Sequence, residues 1–269
     1  MKTVLRFGDS GADVKRLQQA LLDLGFNPGA IDGQFGGGTL AAVMALQHSQ
    51  GLLADGVAGP RTQSALGLAA SPLLADTTAG FTVQIAGQMC PFTPLAHIKS
   101  NLPVLLQALS RRGLHDRTMA LMAVATIRAE TESFLPVSEG PSRFNTSPSG
   151  HPFDLYDRRR DLGNRGAPDG ARFRGRGFVQ LTGRHNYATY GPRLNPAADL
   201  LAHPELANAS DIAADLLCLF LGDRELQIKD ALMHGNLQAA RRLVNGGVHG
   251  LARFSDAYRI GDGLLPASI

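Results

Sequence analysis

An eight-residue pattern occurs twice near the N-terminus. Asp32-Gly33-Gln34-Phe35-Gly36-Gly37-Gly38-Thr39 returns as Asp55-Gly56-Val57-Ala58-Gly59-Pro60-Arg61-Thr62, and both copies read Asp-Gly-x-x-Gly-x-x-Thr. Glycine after aspartate supplies a turn with positive φ, and a glycine or threonine then starts a helix. Upstream, Ser10 or Asp13 is placed to cap a helix striped by Val14, Leu17, Leu21, Leu22 and Leu24 and ended by Gly25. A second helix is expected from about Thr39 to Gln50 and a short third one from Thr62 to Leu66. The duplicated turn therefore predicts a three-helix module filling residues 1–68.

The chain is 269 residues long, about twice a usual domain, with 44% hydrophobic and 18% charged residues, so a second domain with its own core is expected. Residues 69–80 are small and polar without periodicity and are assigned as a linker. Beyond it, in residues 81–269, helical patterns cover 95–111, 116–133, 210–222, 227–233 and 236–244. Phe178-Val179-Gln180-Leu181 is the best candidate for an extended piece. The predicted fold class is mainly α. The irregular stretch between Leu135 and Gly177 is long for a compact domain, and such loops are usually functional.

Several classes are disfavoured by composition. The balance of 26 basic against 23 acidic residues gives +3, too little to argue for nucleic acid. Seven arginines between Arg158 and Arg176 are interleaved with Asp157, Asp161 and Asp169, which predicts a solvated, salt-bridged loop with some attraction for anionic polymers. Cys90 and Cys218 form neither a disulfide framework nor a metal site, and His151, His185 and His249 lack metal-ligand spacing, so no metal or cofactor is expected. No stretch suits membrane insertion. The N-terminal residues lack the apolar core of a secretory signal, so the expectation is a monomer made in the cytoplasm that reaches its target after release. All four tyrosines lie beyond residue 150, which marks the second domain as the place for a ring-bearing ligand.

Within the pattern 116–133, Glu130 and Glu132 stand about 200° apart around a helix axis. Glu130 shares a face with Met119, Ala123, Thr126 and Ile127, and burial there would favour a protonated carboxyl suited to general acid work. Glu132 is expected on the opposite, solvated side, paired with Arg128, with Pro136 stopping the helix. Glu139 follows on the irregular segment. Two carboxyl groups, one on a helix end and one on the adjoining loop, can flank a cleft wide enough for a water, as inverting glycosidases require. Gly175 and Gly177 around Arg176 allow close approach of the chain, and Arg176 is a candidate partner for a catalytic carboxylate.

Two resemblances give these patterns a context. Gly8-Asp9-Ser10-Gly11, Leu17-Gln18, Asp32-Gly33-x-Phe35-Gly36, Leu46-Gln47 and Asp55-Gly56-x-x-Gly59 resemble the peptidoglycan-binding domain of cell-wall hydrolases. The resemblance implies that Asp32, Gly33, Asp55 and Gly56 belong to a wall-binding module. Ala129-Glu130-Thr131-Glu132-Ser133-Phe134, Gly175-Arg176-Gly177-Phe178-Val179-Gln180-Leu181-Thr182 with Asn186-Tyr187, and Val244-Asn245-Gly246-Gly247 resemble glycoside hydrolase family 19, the chitinase-like lysozyme group. Ala129 stands where that family usually has histidine. The resemblance implies an α-helical lysozyme-like catalytic domain, with Glu130 as general acid, Glu139 as general base and Thr182 holding the attacking water. It also implies Gln180, Asn186, Tyr187 and Asn245, beside Arg176, as substrate-binding residues and bacterial peptidoglycan glycan strands as partner. Together the two domains resemble modular bacteriophage endolysins, whose release depends on a holin. A chitinase, an antibacterial wall-degrading effector and a non-catalytic wall-binding protein are the alternatives.

Overall fold

The computed structural model describes residues 4–50, 52–68 and 77–265. The chain forms two compact units, Met1–Asp76 with Leu226–Gly235 and Thr77–Glu225 with Asn236–Ile269. The stretch Leu226–Gly235, read from sequence as part of the second domain, is thus grouped with the first unit. Of the expected linker, residues 69–76 lie outside the described residues, and Thr77–Gly80 is a 3-10 turn.

The first unit contains α1 (Ala12–Asp23), α2 (Gly37–Ser49) and α3 (Pro60–Ala65), around a core that includes Leu5, Val14, Leu17, Leu21, Phe35, Val43 and Leu46. Leu22 and Leu24, assigned to the buried stripe of α1, are 43% and 52% exposed, because each is rotated off the line that joins Leu17 and Leu21. The duplicated pattern folds as two copies of one hydrogen-bonded clamp. Gln18 donates through Nε2 to Asp32 Oδ1, the Gln34 carbonyl and Thr39 Oγ1, each at 3.0 Å, and accepts from the Gly33 amide at 2.8 Å. Gln47 repeats this with Asp55 Oδ1, the Val57 carbonyl, Thr62 Oγ1 and the Gly56 amide, at 2.8, 3.0, 3.1 and 3.0 Å.

Both glutamines are 1% exposed, so a fully satisfied amide stands where an unmet polar group would be costly. Gly33 and Gly56 take φ 79° and 71°, the conformation the pattern demanded. The threonines are not caps. Gly11, Gly36 and Gly59 hold the cap positions without side-chain bonds, and Thr39 and Thr62 lie inside their helices facing the glutamines. The capping expected from Ser10 or Asp13 is likewise absent from the start of α1. Asp32, Gly33, Asp55 and Gly56 therefore each have a folding role, whatever else they meet.

The second unit contains α4 (Val83–Met89), α5 (Leu95–Arg111), α6 (Arg117–Glu130), β1 (Val137–Ser138), α7 (Asp154–Asp157), α8 (Asp169–Arg172), β2 (Arg176–Gly177), α9 (Arg184–Tyr190) and α10 (Ser210–Gly222). After α11 (Glu225–Met233), which begins at the seam of the chain division, it resumes with α12 (Leu237–Asn245) and α13 (Leu251–Leu264). The mainly α architecture expected from sequence is what the protein has. Helix α6 is the central element: every residue from Met119 to Ala129 is buried, with α4, α10 and α13 packed along it. The two-faced helix of the sequence reading is thus corrected to one enclosed all round. Arg128 is enclosed too, donating to the Met89 carbonyl at 2.8 Å and pairing with Asp256 at 2.7 Å, so it is not the partner of Glu132.

The irregular stretch is organised by a two-stranded antiparallel ribbon in which Val137 faces Gly177 and Ser138 faces Arg176. The expected strand at 178–181 is instead the turn of a tight hairpin, with Arg176 and Leu181 exchanging backbone hydrogen bonds at 3.2 and 2.9 Å. Phe178 is buried under the turn, which is why an apolar run reads like a strand there.

Candidate active site

Helix α6 carries Glu130 as its last residue. Asp116 caps the start by accepting from the Met119 amide at 3.2 Å. At the other end the Thr131 and Glu132 amides both return to the Ile127 carbonyl, at 2.9 and 3.3 Å. Glu132 takes φ 50°, so the helix closes well before Pro136. Its carboxylate pairs with Arg253 at 2.6 Å. His97 Nδ1 holds the Ser133 carbonyl at 3.0 Å, which pins the exit strand to α5.

The Glu130 carboxyl does not end in an apolar strip. Its Oε1 lies 2.7 Å from Nη1 of Arg241 on α12, whose side chain is completely buried while that of Glu130 is 13% exposed. Arg241 Nε donates to the His249 carbonyl at 3.1 Å, and its Nη2 has no hydrogen-bond partner among the described residues. Glu130 is the carboxyl group that meets this buried guanidinium, and removing either group would leave an uncompensated polar atom indoors. Sequence reasoning missed Arg241.

Glu139 follows β1 directly, and its amide donates to the Gly175 carbonyl at 2.8 Å, extending the ribbon. Its carboxylate accepts three hydrogen bonds. Asn145 Nδ2 and the Tyr156 hydroxyl donate to Oε1 at 2.8 and 3.0 Å, and the Gly175 amide donates to Oε2 at 3.2 Å. Burial and the neighbouring Glu139 push the Tyr156 phenol up to about 12, so it remains a donor throughout the neutral range. Gly175 is needed for closeness. A Cβ built there would stand 2.9 Å from Gln180 Oε1 and 3.2 Å from both Glu139 Oε2 and Thr182 Oγ1. Three side-chain oxygens of the candidate site thus converge on a bare backbone position.

Thr182 donates its hydroxyl proton to the Gln180 carbonyl at 2.8 Å, which leaves its lone pairs as acceptors. Gln180, held at φ 50°, donates to the carbonyls of Val137 and Gly177 at 2.9 and 3.0 Å, so its Oε1 is the part turned toward Gly175. Asn186 donates to the Thr182 carbonyl at 2.7 Å. Asn245 ends α12, where Gly246 takes φ 71° as the left-handed cap. Its amide donates to the His249 carbonyl at 2.8 Å while its Oδ1 accepts from Gly247 at 3.0 Å. The Asn-Gly-Gly segment is therefore a capped turn that fixes one edge of the site.

A cavity of about 440 Å³ is lined by Glu130, Glu139, Gln180, Thr182, Asn186 and Asn245 together. It also touches Tyr156, Leu162, Val179, Leu181, Phe220, Val244 and His249. Tyr156 is the tyrosine that meets the cavity, and only the position of the tyrosines in the chain hinted at it. His249 is the histidine among the lining residues. Arg176 and Tyr187 are corrected. Arg176 is 5% exposed and Tyr187 is fully buried. The Arg176 guanidinium donates to the Tyr187 hydroxyl at 2.9 Å and to the Arg172 carbonyl at 2.8 Å, and Tyr187 donates to the Arg174 carbonyl at 2.8 Å. They brace the hairpin behind the cavity wall instead of facing its contents.

Residues 10–66 match the family described as a peptidoglycan binding domain. The N-acetylmuramoyl-L-alanine amidase CwlM of Mycobacterium tuberculosis is 50% identical over 56 residues, 21% of this chain and 14% of that protein. A spore cortex-lytic enzyme of Bacillus cereus is 44% identical over 63 residues, 23% of this chain and 24% of that protein. The zinc D-Ala-D-Ala carboxypeptidase of Streptomyces albus G is 48% identical over 60 residues, 20% of this chain and 22% of that protein. The chain thus spans less than a quarter of the length of these curated relatives. Chitinase C from Streptomyces griseus HUT6037 superposes with a TM-score of 0.42 at 18% identity, covering 67% of this chain and 76% of its own. The Burkholderia AP3 phage endolysin superposes with a TM-score of 0.26 at 21% identity, covering 97% and 99%. At these scores the chemistry of the cavity rests on its own residues.

Proposed function

We propose that the protein is a peptidoglycan hydrolase of the endolysin type, a family 19-like muramidase acting on the β-1,4 bond between N-acetylmuramic acid and N-acetylglucosamine. The observation that carries this reading is the convergence of Glu130 and Glu139 on one cavity, from two separate rigid elements, with Thr182 beside the second.

Glu130 gives its proton to the leaving glycosidic oxygen, and the carboxylate so formed faces the buried Arg241 at 2.7 Å, a preorganised counter-charge for the product of that step. Glu139 accepts a proton from the attacking water. The water's second hydrogen meets Thr182 Oγ1, whose own proton is engaged with the Gln180 carbonyl, so a water lone pair is left for the anomeric carbon. With the second carboxylate as a base rather than a nucleophile, the configuration inverts. Gln180, Asn186 and Asn245 offer amides to the sugar N-acetyl and hydroxyl groups.

Residues 1–68 would act as the wall-binding module, supported by the family match to residues 10–66. Holding the catalytic domain of residues 81–269 near its polymer raises the local substrate concentration. A phage origin, synthesis in the host cytoplasm and release to the wall belong to the same proposal.

The test is mass spectrometry of purified sacculi after digestion. New reducing N-acetylmuramic acid ends are expected, and the Glu139→Gln variant should lose at least about 1000-fold in rate. Newly freed amino groups from a cut amide would replace this reading with an amidase, and cleavage confined to chitin would replace it with a chitinase.

A further inference from the structure

The wall of the cavity holds a feature that acid/base cleavage does not use. Tyr156 and Leu162 both line the cavity, and the five residues between them form its rim. This rim is tied down at its base: the Leu162 amide donates to the Arg159 carbonyl and the Gly163 amide to the Arg160 carbonyl, both at 3.0 Å. Asn164, 5% exposed, donates to the Tyr156 carbonyl at 2.8 Å and accepts from the Arg184 amide at 2.9 Å. Three consecutive arginines project from that fixed backbone. Arg159 is committed to Asp161 through Nε at 2.7 Å and Nη2 at 2.5 Å. Arg158 and Arg160 are exposed, and neither side chain has an ion pair or hydrogen bond among the described residues. The carboxylates nearest in sequence are engaged elsewhere: Asp157 with His151 at 3.1 Å and with the Gly170 amide at 2.9 Å, and Asp154 with Ser147. Two uncompensated cations therefore sit within two residues, at most about 7 Å of backbone, of a cavity-lining side chain.

We propose that Arg158 and Arg160 recognise the carboxylates of the stem peptide that branches from muramic acid, and so make the enzyme prefer peptide-bearing strands to bare glycan. The inference rests on the glycan-hydrolase reading above. A polymer of N-acetylglucosamine alone offers these arginines no anion. A wall strand in the same cavity presents peptide carboxylates beside its sugar ring, and guanidinium is the side chain best matched to a carboxylate.

Soluble uncross-linked glycan strands with intact stem peptides are compared with the same strands stripped of peptides by an amidase and then converted to the neutral methylamide at the lactyl carboxyl that the amidase exposes. The readout is the ratio of kcat/KM on the two substrates, at 50 mM salt. Wild-type protein should favour the peptide-bearing strands. The Arg158→Ala/Arg160→Ala variant should lower the ratio about fivefold, as expected for two exposed ion pairs. Arg158→Lys/Arg160→Lys should restore most of it, and raising salt to 0.3 M should shrink the wild-type ratio. A wild-type ratio of one, or equal losses on both substrates in the alanine variant, overturns the rim proposal and leaves glycan cleavage standing. Failure of the wild-type protein to cut either strand overturns both.

Discussion

At the scale of single residues, the contact between Glu130 and Arg241 changes what a substitution means. Glu130→Gln removes the candidate proton donor and also leaves the buried guanidinium without its carboxyl partner. The variant should lose at least about 1000-fold in hydrolysis and also about 2 kcal/mol of stability in urea titration. Glu132→Gln disturbs only a pair whose two side chains are 39% and 40% exposed. Such pairs are worth about 0–1 kcal/mol, and activity should stay within about twofold. Equal damage from the two variants would mean that neither residue is the acid. The candidate acid was legible in the sequence because a glutamate closing an apolar helix is conspicuous. Arg241 was not, since Arg241 and Arg242 are adjacent on α12 and sequence alone does not say which turns inward. The buried one is identified only by the neighbours that enclose it.

At the scale of elements, the ribbon and hairpin determine the geometry around the proposed base, Glu139. Glycine at 175 lets Glu139, Gln180 and Thr182 meet, and glycine at 177 takes φ 74° with the Ala207 carbonyl 2.7 Å from where a Cβ would stand. Gly175→Ala is permitted by the backbone but pushes Glu139 and Thr182 outward by a few tenths of an ångström or more. The expected result is a 10- to 100-fold fall in kcat, since small misplacements are costly in preorganised sites, with the melting temperature within about 3 °C of wild type. Full activity would mean that the water-holding pair is more tolerant than the distances suggest. The Gly-Arg-Gly spacing advertised this close approach. The hairpin itself was hidden, because Phe178-Val179-Gln180-Leu181 has strand-like composition and its turn depends on burying Phe178 and holding Gln180 at positive φ, both tertiary effects. The clamps of the first unit show the converse. Aspartate, glycine and threonine were legible as a repeat, yet the glutamines that bind each repeat together lie on the preceding helices, and only the fold joins them.

At the scale of the whole molecule, the two units differ in their response to alkali. Every tyrosine and both cysteines belong to the second unit. Burial pushes Cys90, Cys218, Tyr156 and Tyr258 up to about 12, and raises Tyr187 and Tyr190 as well. The folded second unit therefore holds protons that its unfolded chain releases between about pH 9 and 10, and its stability falls as pH rises through 9 toward 12. Near-ultraviolet circular dichroism, whose tyrosine signal reports this unit alone, should show a melting temperature that drops steadily over that range. A flat profile would mean that these groups are more hydrated than the fold implies. The central claim is that Glu130 and Glu139 act as acid and base across one cavity, with a water between them. Proton NMR during hydrolysis of a soluble wall glycan tests it most directly, because it records which anomer of the new reducing end forms first. The account requires the α-anomer before mutarotation, and initial formation of the β-anomer would contradict it.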